Sequence, residues 1–131
     1  MPFAAGQTYL FPLGSELCHL WVIATEPDEN GMFATVNFTS LKGAKDQTVI
    51  IRAGEHRFVK WDTCVQYGLA ELTSTERLQE FVDAGTAKVH HPIRADLLKL
   101  IVDGFNCSDF TKRRVREFVQ ARKTAARIQN G

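Results

Sequence analysis

Near residue 72 the apolar side chains change from short aromatic and β-branched runs to a helical period, and this limits the possible folds more than any other feature. Before it, Thr8–Phe11, Cys18–Ile23, Phe33–Phe38, Val49–Ile51, Phe58–Val59 and Val65–Tyr67 read as short strands. They are separated by turns at Pro12–Ser15, Pro27–Gly31, Gly43–Asp46 and Ala53–Glu55. Five or six strands at spacings of about ten residues predict a small antiparallel barrel or a strongly bent sheet. Beyond it three helices are predicted, over about 74–84, 93–103 and 112–128. Thr73 with Glu76 reads as a capping box for the first, and Gly85 as its left-handed stop. Asp103-Gly104 reads as the end of the second, and Thr111 as the N-cap of the third. With no repeat and no Pro/Ser-rich linker, residues 1–131 read as one α+β domain, its β part over about 6–72, with a core shared by both halves.

Charge is divided as unevenly as hydropathy. Residues 111–131 hold seven of the 16 basic side chains and one of the 15 acids, a net +6, which leaves −5 on residues 1–110. On a helical projection Lys112, Arg116, Lys123 and Arg127 fall within about 60° of each other, opposite an apolar side of Val115, Phe118, Val119 and Ala126. Such a stripe is either a solvated face or a contact for a polyanion. No apolar run approaches the ~20 residues of a membrane-spanning helix, and the N-terminus has neither a basic segment nor a long apolar one. Three widely spaced cysteines (Cys18, Cys64, Cys107) fit a reduced compartment, so a cytoplasmic protein is expected.

Several chemistries have no support. Neither the histidines (His19, His56, His90, His91) nor the cysteines show zinc-type pair spacing, and no phosphate-binding glycine loop occurs, so no metal or cofactor is expected. Polar residues gather instead where strands end. Asn37-Phe38-Thr39-Ser40 finishes an apolar strand on two hydroxyls, and residues 54–63 hold Glu55, His56, Arg57, Lys60 and Asp62. On an extended strand Lys60 and Asp62 share a face, as do His56 and Phe58. An acid–base pair beside hydroxyls suits RNA phosphodiester cleavage, with the 2′-OH as internal nucleophile. Plainer roles exist for the same residues. Thr39-Ser40 can open a turn, Lys60 and Asp62 can form an exposed pair, and His19 can be a hydrogen-bonded strand imidazole. Trp21 and Trp61 suit a core or a subunit interface better than a base-stacking platform.

In chain order, Gly6–Phe11, His19-Leu20-Trp21-Val22-Ile23, Val36-Asn37-Phe38-Thr39-Ser40 and Lys60-Trp61-Asp62 resemble the MazF/PemK (Kid) toxin family over roughly residues 6–70. That family has a strand opening on Gly-Asp-(Ile/Val), an Arg-Pro before an apolar strand, a strand ending in Thr-Ser, and a later Arg-x-Asp. His19-Leu20 stands where Arg-Pro is usual, and Lys60 stands where Arg is usual. The resemblance implies an SH3-like barrel, a homodimer, metal-independent cleavage of single-stranded RNA, and inhibition by a cognate antitoxin with an acidic or apolar tail. It would make Thr39 and Ser40 the phosphate-positioning pair, Asp62 the base, and His19 or His56 the acid. Lys60 and Arg57 would stabilise the phosphate, and Lys112, Arg116, Lys123 and Arg127 would flank the RNA. The alternatives are a non-catalytic RNA- or protein-binding module of the same shape, or a structural partner protein that uses the sheet edge for assembly.

Overall fold

The computed structural model describes residues 3–12, 18–57 and 59–130, the last three of these as backbone only. Phe58 and the turn residues 13–15 lie outside the described residues. Strands β1 (Thr8–Pro12), β2 (Cys18–Ile23), β3 (Met32–Ser40), β4 (Ile50–Ile51) and β5 (Thr63–Val65) are followed by a 3-10 turn at Tyr67–Leu69. Then come β6 (Glu71–Ser74), helix α1 (Thr75–Asp83), β7 (Lys88–His90), α2 (Ala95–Cys107) and α3 (Arg113–Asn130). All the strands join one antiparallel seven-stranded sheet in the order β4-β5-β3-β2-β1-β7, with β6 also on β3. Among the described residues β4 and β7 do not pair with each other, so the sheet is open and does not close into the expected barrel.

β3 organises the sheet. Its middle pairs with β2 (Trp21↔Asn37), its first half with β6 (Phe33↔Thr73) and its last residues with β5 (Thr39↔Cys64). Because strand side chains alternate, β2 and β3 feed two cores. Leu20, Val22, Ala34, Val36 and Phe38 pack with Ile101, Phe105, Val115 and Val119 of α2 and α3. Trp21, Ile23 and Phe33 pack on the other side with Tyr9 and with Leu78 of α1. Helices therefore lie on both sides of the sheet, and the β and helical halves share the larger core.

Local signals shift in instructive ways. Ser74, one residue after the expected cap, accepts from the Arg77 N–H at 3.1 Å, while β-branched Thr73 stays in β6 opposite Phe33. Gly85 has φ +81°, the left-handed stop expected of it. α2 does not end at Asp103-Gly104 but runs to Cys107. Gly104 is there for space: a Cβ on it would lie 1.9 Å from the Tyr67 hydroxyl and 2.9 Å from Val49. That close approach lets Tyr67 donate to the Ile101 carbonyl at 2.7 Å, with its ring edge-on to Phe105. Thr111 does not cap α3, since its buried hydroxyl has no hydrogen-bond partner. Residues 58–62 form no strand, so Lys60 and Asp62 do not share a strand face as expected.

Candidate active site

The antiparallel pairing of β2 with β3 brings the start of one beside the end of the other. A cavity of about 350 Å³ opens there, lined by Cys18 and His19 of β2, Thr39 and Ser40 of β3, and Lys60 and Trp61 of the following connection. His19 Nδ1 lies 3.1 Å from the Phe38 carbonyl oxygen. A carbonyl only accepts, so Nδ1 carries the proton and the neutral ring keeps its lone pair on Nε2. The segment carrying Lys60 and Trp61 is pinned from below by buried Val59 and by the hydrogen bond from the Gly54 N–H to the Val59 carbonyl, at 2.9 Å. Thr63 donates to the Trp61 carbonyl at 2.9 Å just before β5 begins. Trp61 is left 65% exposed, whereas Trp21 is 3% exposed. The core-or-interface expectation thus separates the two tryptophans: Trp21 is core, and Trp61 stands on the surface beside the cavity.

The other expected site residues go elsewhere. Asp62 does not line this cavity. Its carboxylate takes Arg52 at 2.8 Å and the Ala53 N–H at 3.1 Å, and the Ala53 N–H first, then Arg52, hold it below the usual carboxylate range. With both oxygens engaged, Asp62 closes the 52–62 loop. His56 is buried and donates from Nε2 to the His91 carbonyl at 2.6 Å, and the Thr8 hydroxyl donates to the same oxygen. Arg57 donates to His91 Nε2 at 3.1 Å. These contacts join the loop to the end of β7, outside the His19 cavity. His90, with its ring 5.4 Å from that of His56, is held below the usual histidine range by burial, then by His56, His91, Arg57 and Lys88.

The basic stripe is half consumed internally. Lys123 pairs with Asp103 of α2 at 2.9 Å, and Arg116 donates to the Ser108 and Thr111 carbonyls at 3.3 and 3.2 Å. Lys112 and Arg127 remain exposed. Of the four, then, two hold α3 in place and two face solvent.

Sequence reasoning missed a second polar cavity, of about 440 Å³, which also touches Thr39 and Ser40 and is lined by Asp46, Cys64 and Gln66. Buried Asp46 accepts from the Thr48 N–H at 3.1 Å and from the Thr48 and Ser108 hydroxyls, each at 2.7 Å. The Asp46-Gln47-Thr48 spacing, typical of a side-chain-bonded turn, is the local signal that could have found it. Burial, then Asp46, pushes the Cys64 thiol up, which makes it a poor nucleophile. Among the described residues no three or more His, Cys, Asp or Glu side chains are grouped so as to hold a metal ion. No described helix is long and apolar enough to cross a membrane. Comparison of the chain with family models, with characterised proteins and with solved structures returns no match.

Proposed function

We propose that this chain is a metal-independent endoribonuclease resembling the MazF/PemK toxins, with its chemistry centred on His19. The observation that carries the reading is the shared cavity of His19, Thr39, Ser40 and Lys60, with the imidazole held in the tautomer whose Nε2 can take a proton. In the proposed reaction His19 Nε2 removes the proton of an RNA 2′-OH as the 2′-oxygen bonds to phosphorus. The bond from phosphorus to the 5′-oxygen breaks, and that oxygen takes a proton from water. The products are a 2′,3′-cyclic phosphate and a 5′-hydroxyl. Lys60 offsets the charge gathering on the non-bridging oxygens, and the Thr39 and Ser40 hydroxyls orient them. Exposed Trp61 gives a neighbouring base a surface to stack on, which favours a single strand over a duplex.

Asp62, bound to Arg52 and Ala53, takes no proton in this scheme, and His56 and Arg57 support the loop. The SH3-like curl, the homodimer, the acidic antitoxin segment and the cytoplasmic setting belong to the same proposal, on the strength of the motif resemblance. The test is incubation with mixed-sequence single-stranded RNA in EDTA, followed by mapping of the ends. Discrete cuts ending in 2′,3′-cyclic phosphate are expected. RNA binding with no cuts between pH 6 and 8 leaves the non-catalytic module as the correct reading.

A further inference from the structure

A separate cavity of about 230 Å³ lies between the sheet and α1, and it shares no lining residue with the His19 cavity. Tyr9, Phe11, Trp21 and Phe81 form its aromatic walls. Tyr9 stacks on Trp21 with ring centres 6.5 Å apart, and Phe11 stands edge-on to Trp21 at 6.4 Å and to Phe81 at 4.9 Å. The Tyr9 hydroxyl is already used, sharing a hydrogen bond of 2.8 Å with Thr35. The Trp21 indole N–H is not: it is fully buried and has no acceptor. A buried donor left without an acceptor loses its hydration and gains nothing in return, a loss that an incoming acceptor would repair.

Glu71 and Arg77 also line this cavity, and both are exposed. Among the described residues Glu71 makes no ion pair and no side-chain hydrogen bond, although Arg77 is close by; the Arg77 guanidinium lies over the Phe81 ring at 5.4 Å. The site therefore presents aromatic walls, a buried donor wanting an acceptor, and a carboxylate wanting donors. Its volume lies below the ~300–1,000 Å³ of sites for drug-sized ligands, so it admits one ring or a fused pair.

We propose that the cavity under α1 binds a planar amino-heterocycle of nucleobase size, which accepts from Trp21 Nε1–H and donates to Glu71. A guanine edge suits it best. Its ring N–H and exocyclic amine offer two parallel donors to one carboxylate, while its carbonyl oxygen or imidazole nitrogen accepts from the indole. Adenine and cytosine offer a single amine and fill only half of that pairing. The proposal concerns a site apart from His19, and it stands whether or not the chain cuts RNA.

The probe is free guanosine, titrated into the full chain while the two indole N–H resonances are followed by NMR and assigned with Trp61→Phe. Guanosine is expected to move the Trp21 resonance downfield and to leave that of Trp61 in place. Glu71→Gln is expected to weaken binding roughly tenfold or more with the spectrum otherwise unchanged, and adenosine to bind at least roughly tenfold more weakly. No movement of the Trp21 resonance at millimolar guanosine overturns the proposal. So does binding that Glu71→Gln leaves intact, or equal binding of adenosine.

Discussion

Gly104 shows at the scale of one residue how packing overrules a local signal. A glycine after aspartate ordinarily marks a helix end, yet here it sits within α2 because the Tyr67 ring occupies the space of a side chain. Gly104→Ala should gain helix propensity but overpack the Tyr67–Val49 contact. A net loss of about 1–3 kcal/mol, read as a shift in urea midpoint, is expected. The three cysteines give a second single-residue test. Cys18 and Cys107 are exposed, while Cys64 is buried with its thiol pushed up. Native iodoacetamide should label Cys18 and Cys107 and spare Cys64, as peptide mapping would show, and rapid labelling of Cys64 would contradict the described packing. His19, Thr39, Ser40 and Lys60 were legible as site candidates because they lie in short motifs at strand ends. Asp62 misled, because Arg52, ten residues earlier, and the Ala53 N–H decide where its carboxylate goes.

At the scale of elements, β1, β2 and β3 were legible because each is an apolar run bounded by turn residues. β6 and β7 were not. β6 mixes Glu71 and Ser74 with one leucine, and β7 is largely exposed, so each is a strand only because β3 or β1 offers it an edge. Nothing within either segment announces that pairing. β7 also carries the acid-sensitive point of the fold. Between His90's lowered value and its ordinary 6.5, the unfolded chain binds the proton and the folded chain does not. This contribution to stability is full above about 6.5 and is lost as pH falls through that window. The midpoint of urea unfolding should therefore fall on acidification across it, and His90→Gln should reduce the slope. An unchanged slope would mean that His90 ionises as readily in the fold as in the unfolded chain.

At the scale of the molecule, the net charge of +1 conceals a body of −5 and a tail of +6, and the fold joins them where Lys123 of α3 meets Asp103 of α2. Part of the basic tail thus serves docking, and the chemistry is placed at the β2–β3 junction. The central claim is that His19, rather than Asp62, carries proton transfer there. The most direct measurement compares single-turnover cleavage of mixed-sequence single-stranded RNA in EDTA by the wild type, His19→Ala and Asp62→Asn, with folding verified by circular dichroism. The account predicts a loss of about 10²-fold or more for His19→Ala. It predicts a rate within about threefold of wild type for Asp62→Asn, whose oxygens only tie a loop, an exposed contact of small energy. Cleavage that survives His19→Ala and is abolished in folded Asp62→Asn would contradict it.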